Sequence, residues 1–255
     1  MIKKHLFKLI SVMLISLFAL RIFSTIYSKN QNPLLEGLIC YLVPIIIIIA
    51  FIFAFKAKDY LKFSFNNINK VFVYGWYILL AGVIFFVINY LSLEQGVTTT
   101  SQKVIGFIIT CLFTAVFEEL LCRGFIQGTL KDIGNKCGWS DIKHIVLGSC
   151  VFALLHLLNL IQQPYLVLGT ITQVFYTFSL GMILGVVYYK TKNLVIPIIL
   201  HAVFNILGSY TDVYLTTAQA NVVQADIPII SAVIQLVVMM PAIFVAYKMF
   251  KYKKG

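Results

Sequence analysis

The stretch VIGFIITCLFTAVFEELLCRG, residues 104–124, carries charge where an apolar segment should carry none. From Val104 to Phe117 it is uncharged and almost wholly apolar, and Glu118, Glu119 and Arg123 then follow in close succession. Ionisable groups inside a membrane are costly. They face a polar interior, a partner or a water-filled cavity. What these three side chains face has to be found elsewhere in the chain.

Composition sets the frame. The 255 residues are 60% hydrophobic and 11% charged, against about 25% charged in an average soluble chain. Apolar runs of roughly 17–25 residues, each long enough for a hydrocarbon core of about 30 Å, recur along the chain. Eight are legible, at about 9–27, 36–55, 71–92, 104–122, 144–161, 165–189, 194–210 and 227–247. The expectation is an all-α, multi-pass membrane protein forming one integral membrane domain over residues 1–255. Its longest connections, Lys56–Lys70 and Tyr210–Asp226, are too short for a second core.

The net charge of +11 is explained by topology. With the N-terminus inside, the inner segments hold all the lysines except Lys29 and Lys103. That asymmetry is the positive-inside pattern, and it predicts an even number of spans with both termini cytoplasmic. It leaves no basic patch for nucleic acid, which is excluded as a partner; the lipid bilayer is the medium. The first span has a basic start like a signal peptide. Its apolar region is too long, and no small-residue cleavage site precedes Lys29, so it reads as retained. The five cysteines form no CxxC motif and no disulfide framework. Lysine far outnumbers arginine, a bias of AT-rich bacterial genomes, which points to a bacterial plasma membrane. Gly181 and Gly185 form a GxxxG face suited to close helix approach.

The main strongly polar residues within spans are Arg21, Glu118, Glu119, Arg123, His156, Asn159, His201 and Asn205. At 1.5 Å per residue, Glu118 lies roughly 10 Å above the inner edge, His156 roughly 18 Å, His201 about 10 Å and Asn205 about 16 Å. Three helices therefore bring polar groups to depths at which they can meet. Glu119 and Arg123 stand i,i+4 with the acid first, the favoured order for a helical ion pair, and read as structural. Glu118 points about 100° away and needs another partner. His156 with Asn159, and His201 with Asn205, each share a helix face. A carboxylate, two imidazoles and an amide can hold a water or a metal-bound water, with the carboxylate as general base. A single histidine in a span is more often an interhelical hydrogen bond; the constellation is what points to chemistry. There is no HExxH and no GxSxG.

FEELLCRG (Phe117–Gly124), FALLH (Phe152–His156) and HAVFN (His201–Asn205) resemble the EExxxR, FxxxH and HxxxN motifs of the CAAX-protease and bacteriocin-processing (CPBP, or Abi) family. FSLG at 178–181 resembles a weaker intervening element. The resemblance covers a core of about residues 104–210. It implies an eight-span intramembrane endopeptidase whose active site opens toward the cytoplasm. Glu118 would activate a water, and His156 and His201 would orient it or bind a metal. Asn205 would stabilise the oxyanion, while Glu119, Arg123 and Asn159 would support the site. Glu118, His156 and His201 could ligate Zn²⁺; the same groups could hold water alone. The implied substrate is a membrane-associated peptide or protein, in bacteriocin immunity or peptide-signal maturation. The alternative is a non-proteolytic membrane scaffold or regulator of the same fold.

Overall fold

The computed structural model describes residues 2–27, 33–93, 97–214 and 226–252. Among them there are helices and no strands. They are α1 (Ile2–Tyr27), α2 (Pro33–Ala54), α3 (Lys70–Leu91), α4 (Ser101–Glu119), α5 (Gln127–Cys137), α6 (Asp141–Leu155), α7 (Asn159–Gln162), α8 (Val167–Thr191), α9 (Val195–Ser209), α10 (Ile229–Met239) and α11 (Pro241–Lys251). Seven helical stretches are long and apolar enough to cross a membrane, and the shorter Leu38–Ala54 within α2 corresponds to the remaining expected span. Lys29 and most of the connection after Tyr214 lie outside the described residues.

Two boundaries differ from the sequence expectation. The fourth span does not stop near residue 122. After Glu119 the chain widens into a π-helical turn, Leu120–Ile126, and continues as α5. The whole stretch Ser101–Cys137 is 37 residues, far more than a core of about 30 Å needs. Lys131, Asp132 and Lys136 fall on the part that emerges. Gly138 ends α5 in the left-handed conformation at φ +67°, which glycine adopts without a Cβ penalty. The expected helix over 144–161 is also not continuous. It tightens into a 3₁₀ turn at His156–Leu158 before α7.

Cross-chain contacts sort the helix ends. Lys136 Nζ meets His5 Nε2 at 2.6 Å, and Lys190 Nζ donates to the Tyr252 carbonyl at 2.9 Å. These contacts gather the lysine-bearing start of α1, the end of α5, the end of α8 and the end of α11. At the opposite end, Asn89 Nδ2 donates to the Gly208 carbonyl at 2.7 Å and Thr99 Oγ1 to the Val213 carbonyl at 2.6 Å. There too the Gly169 N–H donates to Asp226 at 2.7 Å. The alternation read from the lysines is thus the alternation of the bundle.

Burial forms two clusters. One packs α3, α8 and α11 through Ile78, Ile183, Leu184, Val187 and Ala246. The other packs α1, α2 and the α4–α5 stretch through Val12, Ile48, Ile52, Leu121 and Phe125. Helices α6 and α9 contribute to both: Ile145 and Leu200 to the first, Phe152 and Ile198 to the second. Most of the large apolar side chains outside these clusters are exposed on the helix exteriors, as a lipid-facing surface requires.

The glycine face of α8 is used as expected. A Cβ on Gly181 would meet Ser149 Cβ at 3.1 Å, and one on Gly185 would meet Ile145 Cγ2 at 2.9 Å. The absent side chains let α6 lie directly on α8. They also leave the α8 carbonyls within reach of α4–α5: Gln127 Nε2 donates to the Gly185 carbonyl at 3.1 Å and Arg123 Nη2 to that of Gly181 at 3.4 Å. Gly185→Leu is expected to destabilise the protein by about 1–3 kcal/mol through overpacking, read as a lower thermal midpoint in detergent. Gly208→Ala, where a Cβ meets nothing within 4 Å, serves as the neutral control.

Candidate active site

Charge burial organises the seam between the two clusters. Every residue from Glu119 to Leu130 is buried. Glu119 is 0% and Arg123 2% exposed. The guanidinium donates from Nη1 to Glu119 Oε1 at 2.8 Å and lies over the Phe152 ring, 4.6 Å from its centroid. The expected structural pair is therefore present, across the π turn. A one-residue bulge of this kind is characteristic of functional helices, and here it keeps Arg123 and Gly124 packed inward.

His201 adds a second donor. Its Nδ1 stands 2.8 Å from the same Glu119 Oε1. A carboxylate can only accept, so Nδ1 carries a proton. Nε2 faces Glu118 Oε2 at 3.4 Å. At this separation either a proton on Nε2 or a water donating to both groups bridges them. Sequence spacing expected Glu118 to need the histidines; it did not show that Glu119 holds the Nδ1 proton of one of them.

His156 is held in the same sense. Its Nδ1 donates to the Phe152 carbonyl at 2.9 Å, closing one helical turn at the end of α6. In the neutral ring its Nε2 is then an acceptor. The Phe152 ring stands edge-on to both imidazoles, with centroids 5.1 Å from His156 and 5.9 Å from His201. Phe152, 2% exposed, thus spaces the two rings and the guanidinium.

Glu118, His156, His201 and Asn205 line one cavity of about 310 Å³. The structure brings together all four expected catalytic positions. Asn159 is not among them. It is exposed, donates to Gln173 Oε1 at 2.9 Å, and lines an adjoining cavity. Thr114, Gln173, Tyr176, Asn89 and Gln235 also line the cavity and were missed. Gln173 was findable as an amide inside an apolar span. A second cavity of about 410 Å³ borders the first and shares Glu118, Phe152 and His156 with it. Leu14, Leu17, Phe18 and Leu155 make it predominantly apolar.

The polar cavity extends beyond these four residues. Its lining rises from Glu118 and His201 toward Asn89, Gly208 and Ser209, at the end opposite the lysines. The polar groups are thus not confined to the inner half. Spacing estimates had placed the charged groups but had not traced the amides and hydroxyls beyond them.

Each imidazole, when neutral, has the donor chemistry that a zinc ligand needs, with Nδ1–H committed and Nε2 free. Among the described residues no three His, Cys, Asp or Glu side chains are clustered to hold one ion.

A family model described as type II CAAX prenyl endopeptidase Rce1-like matches residues 99–207. The match spans every residue named above from Thr114 to Asn205. No curated protein and no solved structure matches the chain.

Arg123→Ala is expected to leave Glu119 buried and only partly compensated, at a cost of about 3–5 kcal/mol. Thermal unfolding should show the loss, and the double variant Glu119→Gln/Arg123→Leu should recover part of it.

Proposed function

We propose that this chain, which belongs through residues 99–207 to the type II CAAX prenyl endopeptidase Rce1-like family, hydrolyses a peptide bond in a membrane-associated peptide or protein. The observation that carries this reading is the single cavity onto which Glu118, His156, His201 and Asn205 converge. Membership of the family supports an intramembrane endopeptidase, and the geometry supports a division of labour among the four.

Glu118 is the general base. It is the least buried of the acids at the seam, with its side chain 24% exposed, and it makes no ion pair with arginine. A water between it and His201 Nε2 can give its proton to the carboxylate and attack the peptide carbonyl. His201 Nε2 accepts from the water's other hydrogen and so orients it, and His156 lines the same cavity. The Asn205 amide, on the same helix as His201, donates to the oxyanion. The tetrahedral intermediate collapses when Glu118 returns the proton to the leaving amine. Every step uses the chain's own residues and one water, and none requires a metal.

The paired cavities support a substrate with two faces. Its peptide backbone suits the amides and hydroxyls of the polar cavity. An apolar portion suits the neighbouring one, and both reach Glu118. Bacteriocin immunity or maturation of a peptide signal are roles that such chemistry would serve.

Cleavage of a membrane-embedded reporter peptide by the purified protein tests the proposal. Glu118→Gln is expected to lower kcat by about 10²–10⁴-fold, the usual contribution of a positioned base, with insertion and thermal stability retained. His156→Ala and His201→Ala should each remove cleavage as well. Full activity in Glu118→Gln would overturn the assignment, and an inactive wild type with intact binding would favour a scaffold. Dialysis against a strong zinc chelator should leave cleavage unchanged.

A further inference from the structure

We propose that a third cavity, at the lysine-bearing end of the bundle, binds the phosphate of an anionic phospholipid headgroup.

This hollow is about 230 Å³ and shares no lining residue with either cavity at Glu118. Three segments meet around it, and each brings a lysine. Lys62 comes from the connection after α2, Lys131 from α5 and Lys192 from the α8–α9 turn. None of the three makes an ion pair among the described residues. Asp59 and Asp132 also line the hollow, so three positive charges face two negative ones. The Asp132 carboxylate is already engaged, accepting from the Tyr60 hydroxyl. Like charges gathered without a counter-charge repel, and Lys192 shows it. Its Nζ sits over the Tyr189 ring, 4.1 Å from the centroid. Lost hydration and the neighbouring charge of Lys131 pull it below the usual lysine range, to about 8. A bound anion would oppose both effects.

The lysines are held on a fixed frame. Tyr60 lies flat on Gly128, where a Cβ would stand 2.7 Å from the ring. Its carbonyl accepts from the Tyr188 hydroxyl at 2.9 Å. The Ser64 N–H donates to Asn193 Oδ1 at 3.1 Å, and Asn193 Nδ2 donates back to the Ser64 carbonyl at 2.6 Å. Between them, the Lys62 carbonyl accepts from the Leu194 N–H at 2.8 Å. The connection after α2 is thereby fastened across α5 and the α8–α9 turn. Lys192 closes α8 in the left-handed conformation at φ +50°, its N–H donating to the Tyr188 carbonyl at 2.8 Å. Glycine adopts that conformation without a Cβ penalty. A lysine there takes on backbone strain and places an ammonium at the hollow. A frame already set loses less freedom on binding.

His144 adds a buried polar group. It is 3% exposed, lines the hollow and makes no hydrogen bond among the described residues. An unpaired polar group at such a position is costly, and a phosphate oxygen is an acceptor for its N–H. Phe63 and Phe65, 52% and 77% exposed, stand on the same connection as Lys62. Exposed aromatic rings beside a lysine suit headgroup depth. The phosphates at that depth belong to lipids, and lysines there attract anionic ones.

The purified protein in neutral detergent is titrated with dihexanoyl phosphatidic acid, dihexanoyl phosphatidylcholine and sodium phosphate, and the thermal midpoint is read. A ligand bound by the folded state alone raises the midpoint with concentration. Phosphatidic acid is expected to do so, and the other two much less. Lys131→Gln and Lys192→Gly should each raise the half-saturating concentration about fivefold, the usual contribution of one lysine near anionic lipid. Lys192→Gly suits its φ, so its midpoint without lipid should equal or exceed that of the wild type, which separates lost binding from misfolding. Lys251→Gln, at the same end but outside the hollow, should leave the titration unchanged. No rise with phosphatidic acid, or an equal loss in Lys251→Gln, would overturn the site. An equal rise with sodium phosphate or with phosphatidylcholine would overturn the anionic-lipid assignment. No readout uses cleavage, so the result is independent of the peptidase reading.

Discussion

Glu119 Oε1 accepts from Arg123 and from His201 at once, and much of the site depends on that shared atom. Taking a carboxylate out of water costs several kcal/mol unless its charge is met. Arg123 meets the charge and is itself held by the Phe152 ring and the Gly181 carbonyl. His201 uses the same oxygen to place its proton. A stabilising ion pair and the orientation of the His201 imidazole are therefore one interaction, buried on the segment from which Glu118 also projects.

The packing serves this arrangement. Gly181 and Gly185 bring α8 close enough for its backbone carbonyls to be reached from α4–α5, so backbone atoms complete a polar seam between helices that are otherwise apolar. The π turn keeps Arg123 inward, and the 3₁₀ turn at His156 sets that ring at the end of α6. Both irregularities fall beside the polar cavity. Beyond them the polar wall runs toward Ser209, while Tyr60 and Asn193 fasten the opposite end.

Much of this was legible from residue order. Apolar runs fixed the spans because hydrocarbon thickness sets their length. Glu119 and Arg123 pair because i,i+4 spacing places them on one face, and Gly181 and Gly185 pack as their spacing foretold. Asn159 follows the 3₁₀ turn at His156 and reaches the cavity wall through Gln173, a partner that spacing along one helix does not name. Gln173, Asn89 and Gln235 went unweighed because a lone amide in a span is an ordinary packing feature until its neighbours are known.

By itself the sequence determined an all-α membrane bundle, the sidedness of its lysines and the identity of the four side chains that share a cavity. These are set by local composition and periodicity, which no distant contact alters. Only the tertiary structure decided which atom each histidine Nδ1 faces, which helix carbonyls the buried donors reach, and which further side chains line the cavity. Those depend on the distance between atoms far apart in the chain: His201 against Glu119, Tyr60 against Gly128, Asn89 against Gly208. Such distances are products of packing, and spacing along a single helix does not contain them.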